Sequence, residues 1–116
     1  MLFEKEKYEE AFRFLLPCAE QGIAEAQAQV GVMYQLGMGV MRDIKVAVRW
    51  LTLAAENGRG DAAHNLGTLY LTCAPDVRVS KKKSTDWYRK AKNLGFEVAS
   101  TDWYGGKGKR GRSNRV

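Results

Sequence analysis

A pattern of nine positions in this chain recurs 36 residues further along. Ala26-Gln27-Ala28-Gln29-Val30-Gly31-Val32-Met33-Tyr34 aligns with Ala62-Ala63-His64-Asn65-Leu66-Gly67-Thr68-Leu69-Tyr70, and the small, aliphatic, glycine and tyrosine positions coincide. The segment that follows repeats as well: Trp50, Ala54 and Gly58 match Trp87, Ala91 and Gly95 at an offset of 37, and Phe14, Cys18 and Gly22 fill the same three slots further back. A period of this size constrains the fold strongly. Each unit is one supersecondary element that cannot bury its apolar face alone, so neighbouring units must stack.

Each unit reads as two helices. In the first, Ala26, Val30 and Tyr34 are spaced by four and share a face, while Gly31 lets a neighbouring backbone come close. In the second, Ala47, Trp50, Leu51, Ala54 and Ala55 form the stripe of an amphipathic helix with one buried side. Trp50 is expected to be a core aromatic shared between adjacent helices. Gly37 and Gly39 can stop one helix in a left-handed residue and Asp43 can cap the next, whereas Gly22, Gly58 and Gly95 end the second-type helices. The pattern predicts helices near 5–21, 24–36, 43–57, 61–73, 81–94 and 96–104. Their sum is an all-α chain, an α-solenoid of antiparallel helix pairs with about two and a half repeats over residues 1–104.

The run Ala26 to Tyr34, then Gly37-Met38-Gly39-Val40, Asp43, Ala47, Trp50, Ala54-Ala55 and Gly58, resembles the Sel-one-like repeat family, a relative of the tetratricopeptide repeat. The likeness is specific over residues 19–70 and weaker over roughly 8–100. It implies helix pairs stacked into a superhelix and an adaptor role in signalling, secretion or host interaction. Because such repeats occur beside toxins, a bacterial immunity role is also implied. By the same analogy the first-type helices line a concave surface, where Glu25, Ala28, Val32 and Gln35 from one unit, with Asp61, His64, Thr68 and Leu71 from the next, contact a protein or peptide. The chain departs from the pattern at Cys73-Ala74-Pro75-Asp76, which replaces the glycine-rich turn, and at Trp103 and Tyr104, which stand where Leu66 and Gly67 do. Pro17 removes a helical hydrogen bond near the end of the first helix and should kink it. That first helix is second-type and unpartnered, so apolar surface at the ends of the array suggests a fragment, self-association as a dimer, or a swapped contact.

Charge is distributed unevenly. Residues 1–77 hold seven Lys/Arg against ten Asp/Glu, whereas residues 78–116 hold twelve against three, so the net charge of +6 is a property of the C-terminal half. Arg78, Lys81, Lys82, Lys83, Arg89, Lys90 and Lys92 could form a basic patch. Three lysines directly after Ser80 would crowd the positive end of a helix dipole, so either the helix starts at Ser84 or the lysines have a use. The glycine-rich basic tail, residues 105–116, lacks the apolar residues needed for a core. An alternative function follows from this half, association with nucleic acid through phosphate contacts. Hydrophobic residues make up 45% of the chain, enough for a core, yet no apolar stretch reaches the ~20 residues of a membrane span. No membrane insertion is expected. With no secretory pattern at the start, the expected location is cytoplasmic, or periplasmic or secreted if a signal peptide was removed.

Chemistry has few footholds. His64 is the single histidine, and no serine, cysteine or carboxylate is fixed beside it by spacing, so no catalytic residue, metal site or cofactor is assigned. Cys18 and Cys73 read as buried free thiols. Arg59-Gly60-Asp61 spells an adhesion tripeptide, but falls in the turn between repeats, where Asp61 can serve as a helix cap.

Overall fold

The computed structural model describes residues 2–72 and 77–96, with side chains from residue 5 onward. The sixth expected helix, the basic tail and Cys73 lie outside the described residues. Among the described residues there are five helices and no strand: α1 (Leu2–Glu20), α2 (Ala24–Leu36), α3 (Ile44–Glu56), α4 (Gly60–Leu71) and α5 (Lys81–Asn93). Each packs on its neighbours in the chain, the closest pairs being α2 with α3 and α4 with α5. These are the two helix pairs of the repeat, and α1 leans on the first of them.

The turns repeat at the level of single hydrogen bonds. After α1, α3 and α5 the chain reverses through Gly22 (φ 99°), Gly58 (φ 101°) and Gly95 (φ 90°). The amide of the following residue then donates five residues back, Ile23 to the Cys18 carbonyl, Arg59 to Ala54 and Phe96 to Ala91. Only a residue without Cβ enters this left-handed turn cheaply, so glycine at each site places the next helix at the same angle. The other type of turn is equally regular. The Asp43 amide donates to the Tyr34 carbonyl at 2.9 Å and the Ser80 amide to the Tyr70 carbonyl at 2.8 Å. Asp43 Oδ1 then accepts from the Val46 amide and Ser80 Oγ from the Lys83 amide, both at 3.2 Å. The longer second loop therefore returns the chain to the same cap, and α5 begins at Lys81 rather than Ser84, with Ser84 buried instead.

Small residues set the spacing inside each pair. A Cβ on Gly31 would lie 2.8 Å from Leu51 Cγ, and one on Gly67 would lie 2.7 Å from the Tyr88 ring. The main core runs from α2 to α5 around Leu51, Ala54, Ala63 and Leu66, all fully buried, with Val32, Val48, Trp87 and Phe96 packed at its edge. A smaller cluster joins α1 to α2 through Ala19, Ala26 and Val30. Trp50 belongs to that second cluster and is only half-buried. Consecutive helix positions are about 100° apart, so residues 50 and 51 cannot both face the main core, and Leu51 takes it.

α1 continues past Pro17 to Glu20, within one residue of its expected end. Two local expectations change. Asp61 is not the cap of α4: the helix starts at Gly60 and Asp61 lies in its first turn, since the Gly58 turn leads directly into the helix. Cys18 is a free thiol at the edge of the smaller cluster, half-buried rather than buried.

Gln27 is a buried polar residue that the repeat does not foretell, for its counterpart is Ala63. Its Nε2 donates to the Ala19 carbonyl at 3.2 Å and its Oε1 accepts from Asn57 Nδ2 at 2.9 Å. One amide thus ties the end of α1 to the end of α3, with both polar ends satisfied as burial requires.

Candidate functional site

A groove of about 320 Å³ opens between α1, α2 and α4. Its floor and walls are Ala28, Val32 and Met33 from α2, Tyr8 and Leu15 from α1, and Met38 from the turn after α2. Gln29, Arg59, Asp61 and Asn65 line it with polar groups. The turn is pressed onto α1 at Gly39, where a Cβ would run into the Tyr8 carbonyl, so Tyr8 and Met38 are held side by side by backbone contact. An apolar groove with a few placed polar groups and adaptable methionines suits an apolar side chain on a partner.

The polar residues beside it are organised. Arg59 meets Asp61 through two hydrogen bonds, Nε to Oδ1 at 3.1 Å and Nη2 to Oδ2 at 2.9 Å. The guanidinium holds the Asp61 carboxyl below its ordinary range, first by hydrogen bonding and against the cost of burial. Asp61 raises the Arg59 pKa in turn, and Glu25 adds to this through space. Arg59 and Asp61 therefore occupy each other across the start of α4, which removes the open presentation an adhesion tripeptide needs.

Of the residues expected to contact a partner, Asp61, Ala28 and Val32 line this groove, and Glu25 stands near its Arg59 side. Gln35 is half-buried, Leu71 is 47% exposed, and neither is among the groove-lining residues. His64 and Thr68 face α5 instead. The absence of a side chain at Gly67 admits the Tyr88 ring, which sits 5.0 Å from His64, while Phe96 lies 5.1 Å away on it as well. The Tyr88 hydroxyl shares a 2.8 Å hydrogen bond with Thr68 Oγ1. Asn65 and Gln29, equivalent positions in the two repeats, point into the groove where His64 was expected. Helical register alone does not distinguish 64 from 65 until the position of α5 is known.

Burial against these rings lowers the His64 pKa from 6.5. The folded chain then binds a proton at His64 less readily than the unfolded chain does. Its contribution to stability is intact above 6.5 and is lost as pH falls towards the lower folded value. Urea unfolding should show stability declining as pH drops from about 7 to about 5, and His64→Phe should flatten that slope. The depressed Asp61 adds a separate decline at lower pH, below its ordinary 3.8, which His64→Phe leaves in place.

The expected basic patch is divided. On α5, Lys82 and Arg89 share one side, Lys83 and Lys90 another, and Lys81 and Lys92 a third, because residues seven or eleven apart nearly eclipse. Asp86 pairs with both cations of the first side, accepting from Lys82 Nζ at 3.0 Å and Arg89 Nη1 at 3.4 Å. Lys90 and Lys92 lie in the last turn, where the helix dipole favours cations. Arg78 and Lys83 instead join Lys45 and Arg49 of α3 around a separate cleft, a convergence the sequence order hides.

Among the described residues no group of three or more His, Cys, Asp or Glu could hold a metal ion, and no helix is long and apolar enough to cross a membrane.

The Sel1 repeat family profile matches residues 24–58 and 60–96, which coincide with the two helix pairs. Among curated relatives, the chain is 34% identical over 84 residues to an uncharacterized protein of Neisseria meningitidis serogroup B, covering 72% of this chain and 17% of that protein. It is 33% identical over 85 residues to the chitin synthase regulator SKT5 of Malassezia restricta, covering 73% of this chain and 6% of the regulator. The chain thus spans less than a fifth of either relative. Among solved structures, a Sel1 repeat protein from Oxalobacter formigenes superposes with a TM-score of 0.69 at 33% identity, over 75% of this chain and 35% of that one. A protective antigen present in uropathogenic Escherichia coli strains, displaying an SLR fold, superposes with a TM-score of 0.72 at 34% identity, over 77% and 19%. With both helix pairs matched by one repeat profile and the same solenoid found in its structural neighbours, the chain belongs to the Sel1 repeat family.

Proposed function

We propose that the chain is a protein-binding scaffold that receives a peptide or protein surface in the groove between α1, α2 and α4. Sel1 repeats generally mediate protein–protein interaction, and the groove is the observation that carries the reading for this chain. It joins an apolar interior of Leu15, Val32, Met33 and Met38 to hydrogen-bonding groups on Gln29 and Asn65, and the Arg59–Asp61 pair stands beside it already formed. A partner would insert an apolar side chain and meet those polar groups at its margin. Use in an immunity or secretion system would be one employment of this groove, and the identity of the partner would tell.

The test is site-specific photo-crosslinking. A benzophenone side chain at Gln29 or Asn65 is expected to capture a partner protein in cells, and one at exposed Glu56 on α3 is expected not to capture it. Asn65→Trp, which plugs the groove, should weaken retention of that partner by about 1 to 2 kcal/mol with little change in melting. Equal capture from position 56, or undiminished retention by Asn65→Trp, would overturn the groove as the site.

A further inference from the structure

A cleft of about 370 Å³ lies between α3 and the start of α5, and Lys45, Arg49, Arg78 and Lys83 line it together with Tyr70. Its other lining residues are Val48 and Val77, so no lining residue is acidic. Arg59, Lys82 and Arg89 stand in ion pairs, whereas none of the four cleft cations has a carboxylate partner among the described residues. Lys83 lies with its ammonium 5.3 Å from the centre of the Tyr70 ring. It also occupies the first turn of α5, where the helix dipole disfavours a cation. Like charges converging on one cleft repel each other and stay solvated until an anion arrives.

We propose that this cleft is a second binding site, for a short acidic segment of a partner protein. Two guanidinium groups can each grip a carboxylate in two-point fashion, and the two ammonium groups add point charges. The valines give the methylene stems of Glu side chains an apolar wall. The geometry favours a peptide over single-stranded nucleic acid for two reasons. Strand binding needs an open aromatic face for base stacking, and the Tyr70 face carries the Lys83 ammonium. It also needs a charged track along the backbone, and Asp86 breaks that track by pairing with Lys82 and Arg89.

The experiment measures the anisotropy of a fluorescein-labelled hexaglutamate peptide with the full chain, beside labelled single-stranded hexathymidylate. The chain is expected to bind the peptide more tightly than the oligonucleotide, with affinity falling as salt rises. Arg49→Glu and Lys83→Glu should each weaken the peptide by about tenfold or more, as loss of a close charge pair does. Lys83→Glu also places an acid in the first turn of α5, so loss of binding would not reflect a destabilised helix. Lys81→Glu, the same charge change in the same turn but outside the cleft, should alter affinity less than about twofold. Asn65→Trp should leave peptide binding unchanged, so failure of the groove and failure of the cleft are read separately. No binding of hexaglutamate, an equal loss in Lys81→Glu, or tighter binding of the oligonucleotide would overturn the proposal.

Discussion

Leu51→Ala is expected to lower the stability of the array by about 3 to 5 kcal/mol, a loss comparable to the whole stability of a small domain. Leu51 is fully buried, and it closes on Gly31 so tightly that a Cβ there would come 2.8 Å from its Cγ and 3.2 Å from its amide nitrogen. The helices on either side are held apart by their own backbones, so the vacated volume cannot collapse. Urea unfolding followed by circular dichroism measures this, and the transition should stay cooperative because the main core spans α2 to α5. Trp50→Ala, at the larger but half-buried neighbour, should cost less. The opposite order would mean that the smaller cluster between α1 and α2, rather than the main one, holds the array together.

Gly67→Leu should separate α5 from α4 and destabilise by about 3 kcal/mol. A Cβ at this position would meet Tyr88 Cδ1 and Cε1 at 2.7 Å, and a planar ring cannot fold out of the way as an aliphatic chain end can. The gain in helix propensity from replacing glycine, about 1 kcal/mol, is too small to offset the clash. The ring would also leave Thr68 and His64, removing the 2.8 Å hydrogen bond and the ring contact at once. Adding Tyr88→Ala to Gly67→Leu should restore part of the loss, because the smaller residue removes the clash. A double-mutant cycle reads that coupling directly, and strict additivity would show that α4 and α5 do not meet at this point.

What the residues alone determined is everything the repeat enforces. The slots of Gly22, Gly58 and Gly95 set three identical reversals, Asp43 and Ser80 set two equivalent caps, and the fourfold spacing of Ala26, Val30 and Tyr34 set a buried face. These are local signals, each satisfied within a few residues of chain, so they were legible without knowing where any other helix lay. The family resemblance rests on the same positions.

The candidate sites were less legible, because a site depends on which neighbour a face meets. His64 and Asn65 are adjacent in sequence and about 100° apart around α4, and only the entry of Tyr88 over Gly67 turns the first towards α5 and leaves the second in the groove. Lys45 and Arg49 sit in the acidic half of the chain, more than 28 residues before Arg78, and counting charges along the sequence could not join them to it. Gln27 breaks the repeat in favour of a bond to Asn57, 30 residues away. Each of these was decided by the crossing of two helices, since local propensity sets where a helix begins and ends, while side-chain size at the crossing sets which of its faces remains open.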